Sequence, residues 1–548
     1  MYKKGGSYVK KIRLFFIYLV IFFFGPFTTQ AEAESLGLFP PIDQQKEYPL
    51  SAAGMKELLF DLYQFGTEEH YTIQFDGALD LSQTAVGNNE SLSKPTIETI
   101  NFASLPSSLT FRGSGADSYL FLPETCFFGQ DSQFETLNLK ASKIYGNGHQ
   151  LYFENIQHSD HTQLFGGSDG NLVGNPMLVF QGVTGGSWEI YGGNEAGTLT
   201  GSPSIQLLSL TGDIQRLCGG SLKGEIIGNA STRVQQLNGT LMNYYGGGFG
   251  TADEPVNVKG TIDNQLTSES TAFTLGDFVG GAAFGETGAV NTLITGKGSF
   301  SDTGILIGGS QVGEIHGQEQ AITTVIDTRQ FQKGERNFVG GNQYSGTIYG
   351  DIENQIYAGK ASQGSFNRID GAGGMDVEKR SLTNSPSFTP VVDLTDPQKR
   401  TAEELAYDQL APLERFSLAK SNARFFVEGN VATRLLGGCV SGGRNVENNV
   451  CGAGVAGVIK GNVHLELGQE TLVYSKRWGV YAQEMGLELT KLTNERNLGA
   501  SYGFSTSAGG GENQQPWGNT LYINGKTELV IKQALLNYGL WRKLQRDN

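Results

Sequence analysis

The six histidines of this chain gather once, in His158-Ser159-Asp160-His161. Two imidazoles three residues apart with a carboxylate between them could begin a metal site. No third ligand follows at a recognisable spacing, so a solvated loop is the preferred reading and no metal is expected. Carboxylates raise the same question. Asp213, Asp253, Asp263, Asp277, Asp302 and Asp327 stand singly. A glycoside hydrolase needs two carboxyl groups flanking one bond, and a lyase needs carboxylates for calcium beside a cationic base. Isolated aspartates at turns fit neither. The sequence also lacks a GxSxG elbow, a P-loop, an HExxH helix and an EF-hand loop. No catalytic residue and no cofactor are therefore expected. Phe165, Tyr191, Tyr244, Tyr245, Phe249, Phe278 and Phe338 stand beside glycines. They are read as core residues at strand ends, with a sugar-stacking ladder as the other reading.

The elements that must position these groups are written in the glycines. Gly makes up 77 of 548 residues, about twice the usual ~7%. It recurs as an apolar pair followed by Gly-Gly: "LFGGSDGNLVGN", "IYGGNEAGTLTG", "LCGGSLKGEIIGN", "LIGGSQVGEIHG". The leading glycines are Gly166, Gly192, Gly219, Gly246, Gly280, Gly308, Gly340 and Gly437, and the first seven are spaced by 26, 27, 27, 34, 28 and 32 residues. A period of this size marks a repeat architecture. Ile226, Val258, Ile294, Ile315, Ile348 and Ile459 alternate with polar or small residues, the period of a short strand. One such repeat cannot bury its apolar face alone, but a stack of copies can. Gly at the corners permits sharp turns and close approach of the next coil. The expectation is an all-β solenoid over residues 70–374.

An open first coil would expose core and unpaired backbone. "SAAGMKELLFDLYQFG" from Ser51 suits a capping helix within the N-terminal segment 34–69. Met55, Leu58, Leu59, Leu62 and Tyr63 share one helical face, Ser51 is placed as N-cap and Gly66 as the stop. Residues 375–428 are rich in proline and poor in glycine. Thr401 and Glu404 form a capping box there, so a helix-bearing insertion is expected. Residues 429–548 read as the last coils and a C-terminal β region.

Residues 1–33 read as a signal peptide. Lys3, Lys4, Lys10, Lys11 and Arg13 precede an apolar stretch from Leu14 to Phe27, and Ala31-Glu32-Ala33 supplies a cleavage site between Ala33 and Glu34. Losing those five cations and Glu32 takes the net charge from −15 to −19. An acidic surface without a basic run argues against nucleic acid and anionic membranes as partners. No later segment is apolar enough to span a bilayer, and oligomeric state is not legible. Cys439 and Cys451, at the two ends of a Gly-rich loop, are placed for a disulfide in a secreted chain, with two thiols as the other reading. Cys126 and Cys218 lie too many repeats apart to favour a bridge.

The Gly-Gly signature, after an opening "YTIQFDGALDL…IYGNGHQLYF", resembles Gram-positive secreted surface proteins with a pectate-lyase-like parallel β-helix. The likeness is best over 160–370. It implies a right-handed parallel β-helix acting as an adhesive or wall-displayed module, secreted or held at the cell surface, that binds a glycan or a host matrix protein. A polysaccharide lyase or glycoside hydrolase on the same fold is the alternative. The chain shows no LPxTG-type tail, so covalent wall attachment is not implied.

Overall fold

The computed structural model describes residues 117–373 continuously. It also describes 11–15, 47–51, parts of 53–61, 70–82, 108–115, 425–440, 449–454, 457–469 and strand segments between 471 and 536. These residues form a parallel β-helix. One coil is clear at 150–173: Gln150–Glu154, Gln157–His158, His161–Phe165, then Gly-Gly and Leu172–Val173. Each segment pairs in parallel with its equivalent one coil on, so the coil has four walls, here numbered I to IV in that order.

Alternation decides which side chains face inward. On wall I one inward position runs through Ile73, Phe111, Phe134, Phe153, Phe180, Leu207, Val234, Leu266, Ile294, Ile326, Ile356, Leu435 and Leu467. All are buried. At ~4.8 Å per step this ladder is on the order of 60 Å long. The next inward position turns polar midway: Thr232, Asn264, Thr292, Thr324, Asn354 and Thr433 are all buried. Asn264 donates to Gly280 O at 2.9 Å and accepts from the Tyr244 hydroxyl at 2.6 Å. Asn354 donates to Gly371 O at 2.9 Å. These amides fasten wall I to the Gly corner across the interior.

The corner after wall III is a ladder of glycines. Gly166 N donates to Tyr191 O, Gly192 N to Cys218 O, Gly219 N to Tyr245 O, Gly246 N to Val279 O, Gly280 N to Ile307 O and Gly308 N to Val339 O. A Cβ at any of these glycines would lie under 3 Å from the carbonyl of the next glycine down. The residue after Gly-Gly then caps its neighbour. Asn194 Oδ1 accepts Ser168 N, Ser221 Oγ accepts Asn194 N, and Asn342 Oδ1 accepts Ser310 N, each at 3.0 Å.

Gly437 does not belong to this ladder. It follows Val431–Leu435 on wall I, and its carbonyl accepts Ala358 N. The positions after Gly340 are Gly371 and Gly452: Gly340 N donates to Asp370 O and Gly371 N to Cys451 O. Leu435-Leu436-Gly437-Gly438 copies the signature at the wrong wall. The true corners read Ile369-Asp370-Gly371-Ala372 and Val450-Cys451-Gly452-Ala453, in which alanine stands where the second glycine would have marked them.

Cys439 and Cys451 are thiols. Val440 pairs with Phe366 and Cys451 with Asp370, both on Gln363–Asp370. That offset along one strand is roughly 13 Å or more at ~3.3 Å per residue, beyond the ~7 Å reach of a disulfide.

At the N-terminal end, residues 53–55, 57, 58 and 61 are helical. Ser51 Oγ accepts Gly54 N at 3.2 Å, and Met55 and Leu58 are buried against the first coil. Leu59, Leu62, Tyr63 and Gly66 lie outside the described residues. Lys11–Phe15, inside the segment read as a leader, runs antiparallel along both Glu47–Pro49 and His70–Phe75. Ala33 and Glu34 lie outside the described residues, as does the insertion up to residue 424. The insertion ends earlier than 428, because Phe425–Val427 already pairs with residues 346–348. Thr471–Val473, Arg477–Gly479, Thr520–Ile523 and Thr527–Ile531 continue the walls.

Candidate functional site

The outward position three residues before the leading glycine carries the densest chemistry. Successive coils place Lys143, Gln163, Glu189, Arg216, Asn243 and Asp277 there. Two residues on, also outward, stand Tyr145, Phe165, Tyr191, Cys218 and Tyr245, all buried. They form a second small core beneath the post-glycine loops, with Leu222, Phe249 and Phe284 packed on it. Phe127, Tyr145, Phe165 and Tyr191 stack ring on ring at 4.4, 5.2 and 4.6 Å.

The phenol tips of this stack reach the charged row. Glu195, on the loop after Gly192-Gly193, extends back over two coils. Its carboxylate accepts Lys143 Nζ at 2.7 and 2.9 Å and the Tyr145 hydroxyl. Glu189 accepts Tyr191 OH at 3.0 Å and Gln163 Nε2 at 3.2 Å. Arg216 donates to Tyr191 OH at 2.8 Å, stands 3.7 Å from Glu189, and lies 4.2 Å over the Phe249 ring. Burial pushes the Glu195 carboxyl up, but hydrogen bonds from Lys143 and Tyr145 outweigh it and hold it below the usual range. Burial drives the Tyr191 phenol far above its ordinary range. Lys143 and Arg216, which by residue type could act as bases, are each engaged by a carboxylate. The arrangement is suited to cross-bracing coils and to presenting fixed hydrogen-bonding groups along the rim.

A second network crosses wall I near the other end. Arg434 bonds Glu353, Lys532 bonds Glu466 at 2.7 Å, and His464 Nδ1 lies 2.7 Å from Glu528. Hydrogen bonding from Lys532 holds the Glu466 carboxyl below the usual range.

The sequence candidates are dispersed by the fold. His158 points inward from wall II and His161 outward from wall III. His161 is exposed, 3.9 Å from Glu189. His158 is buried rather than solvated: it packs 4.2 Å from the Trp188 ring, with Nδ1 3.1 Å from Leu139 O and Nε2 3.1 Å from Thr162 Oγ1. Asp213 accepts Thr240 N at 2.8 Å and Asp277 accepts Ile305 N at 2.9 Å, so these two cap the turns of the next coil. Among the described residues no group of three or more His, Cys, Asp or Glu could hold a metal. Among them, too, no helix is long and apolar enough to cross a membrane. Phe165, Tyr191, Tyr244, Tyr245, Phe278 and Phe338 are buried, so none of them is an open sugar platform.

No family model, curated protein or solved structure matches the chain.

Sequence reading missed the row of Lys143, Glu189 and Arg216. Its signal is a polar residue at a constant offset before each glycine pair, visible once the repeats are aligned on the glycines.

His158 also sets an acid sensitivity. Burial lowers its pKa, against the hydrogen bond to Leu139 O and the charge of Asp160. The unfolded state, near ~6.5, then binds the proton first as pH falls. The stability contribution is therefore full above about pH 6.5 and is lost as pH drops toward the lowered folded value. Thermal midpoints measured from about pH 7.5 to about pH 5 should fall more steeply for the native chain than for His158→Gln.

Proposed function

We propose that this chain is a secreted or cell-surface β-helix without catalytic activity, serving as an adhesive or structural module toward a cell-surface glycan or host matrix protein. The observation that supports it best is the closure of the charged row on itself. Lys143 is matched by Glu195, and Arg216 by Glu189 and Tyr191, each bridging one coil to another. Such pairs stiffen a rod and leave its charges committed. The extracytoplasmic location rests on the leader-like residues 1–33 and the acidic balance.

A second reading, glycoside hydrolysis, draws on Glu135 and Glu154. They occupy matched positions on adjacent coils of wall I, about 4.8 Å apart at the backbone. Arg112 bonds the first and Gln133 the second at 3.1 Å.

The deciding experiment is a glycan and matrix-protein array run beside a calcium-supplemented assay for sugar release and unsaturated products. Binding without turnover supports the module. Turnover abolished by Glu154→Gln would establish the hydrolase instead.

A further inference from the structure

Wall II carries a different kind of row. Its outward position runs through Tyr119, Asn138, Gln157, Thr184, Thr211 and Asn238 on six successive coils. Asn138 is half-buried and the other five are exposed. None is charged, on a chain whose net charge is −15. The row is rigidly set: the residues preceding these positions, Leu137, Ile156, Val183, Leu210 and Leu237 among them, are buried. Tyr119 stacks on Phe121 at 6.1 Å, so an aromatic pair lies near the N-terminal end of the row, one coil after the small, exposed Ala78. Lys140 and Asp160, beside the row, are paired with each other at 2.9 Å.

We infer that this row binds a neutral, extended β-linked polysaccharide lying along the axis of the helix. The inference rests on the glycan reading above and names its site and ligand class. Amides and hydroxyls recur at ~4.8 Å, one per coil, and an extended β-1,4-linked chain presents its sugars at close to that interval. Gln157, Thr211 and Asn238 can both donate and accept, as sugar hydroxyls require. Thr184 donates to Ile156 O at 3.4 Å and keeps its lone pairs, and Asn138 gives one amide hydrogen to Ser118 O at 3.2 Å. The ligand's charge follows from the surface: an anionic polymer would find no cation in this row and a repulsive chain around it. Tyr119 offers an apolar ring body with a polar tip at one end, the pairing a sugar face and its rim hydroxyls call for.

The test is calorimetric titration of the full chain with cellohexaose and cellobiose. Cellohexaose is expected to bind more tightly than cellobiose, with little change between low and high salt. The double variant Thr184→Glu/Thr211→Glu should weaken cellohexaose binding at least tenfold, and Tyr119→Ala should weaken it independently. Lys259→Ala, an exposed site directly after Val256–Val258 on wall IV, should leave it unchanged. Absence of cellohexaose binding, or equal binding by the wall II variants, would overturn the inference. If the array then still shows a bound glycan, the glycan reading stands and its site lies elsewhere. If no glycan binds at all, both fall together.

Discussion

Gly340→Val is expected to remove the cooperative thermal transition of the native chain at temperatures where Gly115→Ala retains it. Gly340 sits in the ladder between Gly308 and Gly371, and its N–H donates to Asp370 O. A Cβ there would lie under 3 Å from the Gly371 carbonyl and from the side-chain nitrogen of Asn354. The carbonyl is backbone in the adjoining coil, and Asn354 is itself tied to Gly371 O and Thr433 Oγ1. Neither can give way without opening the pairing between coils. Valine adds two methyl groups beyond that Cβ, so a cost above the ~1–3 kcal/mol of ordinary overpacking is expected. Gly115 meets nothing within 4 Å, and its alanine variant should stay within about 0.5 kcal/mol of the native chain. Circular dichroism melts of the three proteins decide the matter. A Gly340→Val chain melting within a few degrees of the native one would show that the corner has slack the geometry denies.

Trp188→Ala should cost about 3–5 kcal/mol, the range for removing a large aromatic from a packed interior. Trp188 is fully buried and meets Phe180 and Phe153 edge-on at 5.4 and 6.1 Å, with His158 at 4.2 Å on another side. No neighbour can fill the space, because each of those side chains is held in its own coil. Urea titration followed by far-ultraviolet circular dichroism measures the loss. Met242→Ala, at a position 47% exposed, is the matched control, with an expected change below about 0.5 kcal/mol. A Trp188→Ala loss no larger than that of Met242→Ala would contradict the packing described.

How far the sequence could be read depends on what each residue answers to. The alternation around Ile226, Ile294 and Ile348 and the recurrence of Gly166 through Gly340 report on the coil itself, and both were legible as a solenoid. Ser51 and Met55 were legible for the same reason, since helix caps and helix faces are local. What failed was register. Leu435-Leu436-Gly437-Gly438 satisfies the local pattern but lies on wall I, and only pairing across a long insertion shows that Gly371 and Gly452 hold the corner. Cys439 and Cys451 are near in sequence yet offset along one strand, a distance no loop length reveals. His158 carries polar chemistry but takes an inward position, where Trp188 and Thr162 accommodate it. The row of Lys143, Glu189 and Arg216 was hidden because its members are far apart in the chain and meet only at coil spacing.

The direction of the pairing bonds carries a mechanical consequence. In every wall the backbone hydrogen bonds run from one coil to the next, as from Gly166 N to Tyr191 O and from Gly192 N to Cys218 O. Tension applied between the two ends of the rod is therefore borne by these bonds in series, coil after coil. Force along the axis would load every interface equally and open the weakest one first, then the next, giving a sawtooth of small, similar rupture events. The glycine corner adds no covalent bracing, since all four cysteines are thiols. Pulled by its ends, the molecule would lengthen by shedding coils, taking up a sudden load as successive extension and not as a single break.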